Sequence, residues 1–110
     1  MASILVIEDN NEIQEILKTF LTEEHKVIQA FSGTEGIMQF DKGGIDLVLL
    51  DIMLPGKNGD QVLQAIRQTS QTPVIMLTAL GDKKLISQYL LDGANDYVVK
   101  PFDLDEVFAR

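Results

Sequence analysis

No cysteine occurs among the 110 residues. That absence excludes disulfides, zinc–thiolate sites and thiol nucleophiles. It fits a reducing compartment, and a cytoplasmic location is expected. Basic residues are scarce: 9 Lys and Arg stand against 17 Asp and Glu, a formal net charge of −8 at pH 7. A field of that sign repels phosphate backbones and anionic membrane surfaces, so this segment is expected to contact neither nucleic acid nor membrane directly. It suits a cation or a basic partner. Long apolar runs are missing too. The first, Ile4 to Ile7, is too short for a signal peptide or a membrane span, and no basic region precedes it. No internal repeat, linker or low-complexity tract divides the chain, whose length fits one domain over residues 1–110. Hydrophobic residues make up 45% of it, enough for one packed core without staples.

Short apolar runs alternate with amphipathic stretches. Ile4-Leu5-Val6-Ile7 is followed by Glu8-Asp9-Asn10-Asn11, and then by Ile13, Ile16, Leu17, Phe20 and Leu21 at the spacing of one helix face. Asn10 or Asn11 can cap that helix. Val27-Ile28 marks a second strand. Ser32-Gly33-Thr34-Glu35 reads as a capping box for a helix through Phe40, ended by Gly43-Gly44. Leu47-Val48-Leu49-Leu50 has the continuous apolarity of a strand buried on both faces. Pro55 to Gly59 is turn chemistry, and a helix over about Asp60–Gln68 turns Val62, Leu63 and Ile66 inward. Val74 to Leu77 is the fourth strand, about Asp82–Leu91 a helix stopped by Gly93, and Tyr97-Val98-Val99 the fifth strand. A second capping-box pattern at Asp103-Leu104-Asp105-Glu106 opens a helix truncated at Arg110. Five short strands alternating with helices argue for a parallel sheet covered on both faces.

Ligands of open α/β sheets bind outside the carboxyl ends of the strands, where the strand order reverses. The residues after each apolar run are therefore the candidates. Glu8 and Asp9 follow the first, Asp51 the third, Thr78 the fourth and Lys100 the fifth. In the order 2-1-3-4-5, strands 1 and 3 are neighbours at the reversal, and three carboxylates converge beside a hydroxyl and an ammonium. Crowded carboxylates repel, and a hard divalent cation relieves them. Each residue alone has an ordinary explanation: Asp9 as a helix cap, Asp51 as a turn residue, Thr78 and Lys100-Pro101 as strand exits. Their coincidence at one end of four strands carries the argument. His25, with no second histidine, is expected in a solvated loop, and Lys83-Lys84 on a solvated face.

Glu8-Asp9, Asp51-Ile52-Met53-Leu54-Pro55-Gly56 with Asn58-Gly59, Leu77-Thr78-Ala79, and Tyr97 ahead of Lys100-Pro101-Phe102 form an ordered set spanning nearly the whole chain. The set resembles the receiver domain of two-component response regulators. That resemblance implies a flavodoxin-like, doubly wound (βα)5 parallel sheet of order 2-1-3-4-5. It implies that Asp51 accepts a phosphoryl group from a sensor histidine kinase. Mg²⁺ (or Mn²⁺) would be bound by Asp9, Asp51 and the Met53 carbonyl, with Glu8 acting through a water. Lys100 would pair with the phosphoryl oxygens across a cis bond to Pro101. Thr78 would donate its hydroxyl to a phosphoryl oxygen, and Tyr97 would be the coupled aromatic switch. The chain would then be a regulatory domain and not an enzyme in its own right. Small Ala79 leaves an opening for the donor. Met53 and Leu80 would flank the phosphoryl group, and neither can orient an attacking water, so self-dephosphorylation is expected to be slow.

Asp96-Tyr97 and the ending Glu106-Val107-Phe108-Ala109-Arg110 resemble the winged-helix OmpR/PhoB-type transcription factors. This implies a phosphorylation-promoted homodimer through helix 4, strand 5 and helix 5, with DNA contacted by a C-terminal effector domain absent from this chain. Asp96 with Arg110 matches a cross-subunit ion pair. Ile86 departs, standing where a basic partner for Glu106 is expected, and shifts that contact toward apolar chemistry. Three rival readings remain. An aspartyl-nucleophile phosphohydrolase lacks its second acid, because Asn11 stands two residues after Asp9. A flavodoxin-like FMN carrier would need N–H donors where Glu8 to Glu12 offers anions. A receiver-like module that works without phosphorylation is opposed by the intact acid set.

Overall fold

The structure, a computed structural model, describes residues 2–55, 57–78 and 83–99. Its elements run β1 (Ser3–Ile7), α1 (Asn11–Leu21), β2 (Lys26–Ala30), α2 (Gly33–Asp41), β3 (Leu47–Asp51), α3 (Gly59–Thr69), β4 (Val74–Thr78), α4 (Lys83–Leu91) and β5 (Asp96–Val99). All strand pairs are parallel and the order is β2-β1-β3-β4-β5, as expected. The helix expected from Asp103 onward lies outside the described residues.

The strands are short because each needs only to cross one core, and their alternation sorts side chains onto two faces. Leu5, Ile7, Val48, Leu50, Val74 and Met76 point to one side, where Val62, Leu63 and Ile66 of α3 and Tyr89 of α4 close over them. Ile4, Val6, Leu49, Ile75, Leu77 and Val98 point to the other, against Leu17 and Leu21 of α1. Burial on both faces explains why β1, β3 and β4 read as continuous apolar runs.

Local signals set the helix starts. Asn10, not Asn11, caps α1: its Oδ1 accepts the Ile13 N–H at 3.0 Å. At α2 the Ser32 hydroxyl accepts the Glu35 N–H at 3.1 Å, the first half of the expected capping box, while Glu35 Oε1 reaches past the cap to accept the Phe31 N–H at 3.1 Å. The turn after α2 carries Gly43 and Gly44 at φ of 85° and 80°, a backbone that disfavours any side chain.

Two expectations need correction. The inward face of α1 is narrower than its apolar spacing suggests. Leu17 and Leu21 are buried, but Ile16 is 52% and Phe20 37% exposed, while Gln14 is fully buried. Its amide has backbone carbonyls to donate to, so a polar residue occupies the inner face. His25 is not a solvated loop residue. It is half-buried, and its Nδ1 accepts the Ala2 N–H at 3.0 Å, tying the chain start to the turn before β2. The side chains of Lys83 and Lys84 lie outside the described part.

Arg67, in the last turn of α3, gathers the amino ends of β4 and β5. Its Nε donates to Gly93 O at 2.9 Å, Nη1 to Thr72 O at 2.7 Å and Ser70 O at 3.3 Å, and Nη2 to Asn95 Oδ1 at 2.9 Å. Asn95 Oδ1 also accepts the Val74 N–H at 2.9 Å, so one amide joins the guanidinium to the first residue of β4. Burial lowers the Arg67 pKa from its ordinary value, though a guanidinium stays charged at any working pH.

Candidate cation and phosphoryl-acceptor site

The carboxyl ends of β1, β3 and β4 meet at the reversal of strand order. Glu8 continues β1 by one residue, held by its N–H to Ala30 O at 3.0 Å, and is fully buried. Asp9 follows on the surface. Asp51 is the last residue of β3, 4% exposed, in register with Leu77 of β4. Thr78 is the last residue of β4 and is 5% exposed. The four arrive together because three adjacent strands end at one level.

Carboxylate oxygens of Glu8, Asp9 and Asp51 all lie within 4.8 Å of one another. Three like charges at that range, two of them buried, repel one another, and a cation between them offsets that repulsion. The donor set is all hard oxygen, and exposed Asp9 leaves room for water. Those are the terms on which Mg²⁺ binds: one or two carboxylates, the rest water or phosphate oxygens. Hydrogen bonds within the chain hold the acids in place. Glu8 Oε2 accepts the Asn10 N–H at 3.3 Å, and Asp51 Oδ1 accepts the Met53 N–H at 3.4 Å.

Gly59, first residue of α3, is part of this frame through what it lacks. A Cβ there would sit 2.9 Å from both Asp51 O and Ile52 Cα, and its N–H donates to Ile52 O at 3.0 Å. The helix therefore closes directly on the backbone of Asp51. The sequence pattern marks Gly59 as turn chemistry and as part of the receiver-like motif, and does not reveal this close approach. Gly33, part of the capping-box pattern at α2, makes a similar approach: a Cβ there would overlap the Lys57 carbonyl.

The other expected residues divide. Met53 is 76% exposed beside Asp51. Tyr97 lies in β5 opposite Met76, half-buried against the core, and its N–H donates to Asp96 Oδ1 at 2.8 Å. Ile86 is only 8% exposed, which leaves little of it for the apolar contact expected with a second copy. Ala79, Leu80, Lys100, Pro101, Glu106 and Arg110 lie outside the described residues, and so does the expected cis bond.

The model of the response regulator receiver domain family matches residues 4–110. This chain belongs to that family. The receiver domain is 47% identical over 109 residues to the "uncharacterized transcriptional regulatory protein YkoG" of Bacillus subtilis, covering 97% of this chain and 48% of that protein. It is 46% identical over 111 residues to the transcriptional regulatory protein CpxR of Escherichia coli, covering 100% of this chain and 47% of CpxR. Among solved structures, the Francisella response regulator 1452 receiver domain superimposes with a TM-score of 0.94 at 32% identity, covering 100% of this chain and 93% of that one. The receiver domain thus spans about half the length of the curated relatives it matches. These relatives are named as regulators of transcription, in keeping with a regulatory domain and not an enzyme. No helix among the described residues is long and apolar enough to cross a membrane.

Proposed function

We propose that this receiver domain is a phosphorylation-dependent switch in which Asp51 accepts a phosphoryl group from the phosphohistidine of a sensor kinase. The observation that carries the reading is the clustering of Glu8, Asp9 and Asp51 oxygens within 4.8 Å at the ends of β1 and β3. Asp9, Asp51 and the Met53 carbonyl would hold Mg²⁺ or Mn²⁺, with Glu8 acting through water. A bound divalent cation supplies positive charge where phosphoryl oxygens accumulate negative charge.

The chain's own residues do the rest. An Asp51 carboxylate oxygen forms its bond to phosphorus as the donor's P–N bond breaks, and the electron pair stays on the imidazole nitrogen. Phosphoryl transfer demands positioning more than covalent machinery, and a carboxylate at the end of a buried strand is well positioned. Thr78 donates its hydroxyl to a phosphoryl oxygen, and Lys100 pairs with another. The group adds a charge of about −2. As Thr78 turns inward it vacates space that Tyr97 can enter, altering the face formed by α4, β5 and the chain beyond. The output is control of transcription, through a C-terminal DNA-binding domain and a homodimer using this face, with Asp96 and Arg110 as an ion pair. The names and lengths of YkoG and CpxR support that output.

Mg²⁺ with a small phosphodonor, followed by intact mass measurement, tests the reading. One added phosphoryl group is expected, and none in Asp51→Asn. Absence of an adduct in the wild type would favour a module that binds partners without phosphorylation. Sustained hydrolysis of the donor would favour a phosphohydrolase. Because Met53 and Leu80 cannot orient water, the adduct should outlast the mixing step by minutes, and its loss within seconds would contradict that part.

A further inference from the structure

We propose that Gln14 is a positioning residue for the acid cluster, fixing through its amide the backbone that carries Glu8 and Asp9 and so setting how tightly the cation is held. The proposal rests on the cation reading above. Gln14 belongs to α1 and is fully buried. Its Nε2 lies 3.0 Å from Val6 O, 3.0 Å from Glu8 O and 2.9 Å from Ala30 O. An amide has two protons for those three acceptors, so the protons are shared among carbonyls whose negative ends converge. Ala30 O already accepts the Glu8 N–H at 3.0 Å and does not depend on Gln14. What the amide adds is a tie from the helix to the Glu8 carbonyl.

That carbonyl belongs to the peptide joining Glu8 to Asp9. The peptide is planar, so holding its oxygen orients the backbone on both sides, where two of the three acids are rooted. The Glu8 carboxylate then meets the Asn10 N–H within the same turn. Packing alone is a poor reason for Gln14. Its Oε1 is buried and finds no hydrogen-bond partner among the described residues, which is destabilising, and a methionine of similar length would fill the space without that penalty. The amide makes sense as a device for geometry.

Gln14→Met removes the amide and keeps the length. Mn²⁺ binding, followed through the electron paramagnetic signal of the free ion, should weaken by about 10–100-fold, the usual range for losing an outer-shell partner. In metal-free protein the Asp9 and Asn10 amides should shift and exchange faster. Leu21→Ala, which loosens the same helix away from those carbonyls, should lower the melting temperature while leaving Mn²⁺ affinity and those amides unchanged. Should Gln14→Met fail to fold, Gln14→Asn keeps an amide that cannot reach, and the same losses are expected. Equal Mn²⁺ affinity in wild type and variant, with undisturbed amides, overturns the proposal. If the wild type itself binds no Mn²⁺, the cation reading fails. The metal-free amides then decide the positioning claim, upheld if they move and refuted if they do not.

Discussion

At the amino end of the sheet Arg67 is ringed by oxygen, donating to three backbone carbonyls and to Asn95. At the carboxyl end, three carboxylates face one another within 4.8 Å. The first rim matches the Arg67 charge with oxygen partners from the chain. The second crowds charges of one sign, a local conflict of the kind expected where function constrains sequence. The difference teaches where to look for stability and where for function: a partly buried cation with its hydrogen bonds made holds elements together, while crowded carboxylates offer hard oxygens to a cation.

Arg67→Ala should produce the largest effect. It strips donors from Gly93, Thr72 and Ser70 carbonyls, and bonds to charged groups contribute about 1.5–3 kcal/mol each, so a loss of about 3 kcal/mol in urea unfolding is expected. Mn²⁺ affinity should stay put. A matching loss of cation binding would show that the two rims are not independent.

Gly59→Ala tests the other rim sterically. Its Cβ would press on backbone atoms of Asp51 and Ile52 at 2.9 Å, and backbone cannot step aside cheaply. Overpacking of this kind costs about 1–3 kcal/mol. Here cation affinity should fall along with stability, because the strain lands on the residue that bears the carboxylate. Asp51→Asn should move the two quantities in opposite directions. Removing one of three mutually repelling charges should stabilise the metal-free protein by about 0.5–2 kcal/mol while weakening Mn²⁺ binding. Loss of stability in Asp51→Asn at low salt would mean that the rim is not a site of stored repulsion.

Much of this contrast was legible in sequence. The apolar runs of β1, β3 and β4 announce their own ends, and the residues at those ends, Glu8, Asp9, Asp51 and Thr78, are therefore placed by pattern alone. The caps at Asn10 and Ser32 are equally local. The parts that escaped depend on neighbours distant in the chain. Arg67 reaches residues 26 and 28 positions away, which no periodicity can reveal. Gln14 looks like a surface residue between apolar ones until β1 and β2 bring their carbonyls to it. Ile16 and Phe20 keep the spacing of a buried face, yet α1 is rotated so that Leu17 and Leu21 take the core. Gly59 matters for a contact that only the folded chain creates.

The smallest effect is expected between the rims. Tyr89 of α4 is buried in the core, and its hydroxyl pKa is raised above the ordinary 10.0, first by burial and then by the negative charge of Asp60, with Asp92 adding less. A backbone hydrogen bond at Asp60 works the other way. A group whose folded pKa exceeds its unfolded value contributes stability that is complete below the unfolded value. That stability is lost as pH rises through the folded one. Urea midpoints should therefore decline above a pH of about 10, and Tyr89→Phe should make the decline shallower. Near neutrality the variant loses a hydrogen bond, about 1 kcal/mol or less. Its Mn²⁺ affinity at neutral pH should equal the wild type's, since Tyr89 contributes to the core and to neither rim. Identical alkaline slopes in the two proteins would mean that the Tyr89 hydroxyl reaches water freely enough to ionise without cost.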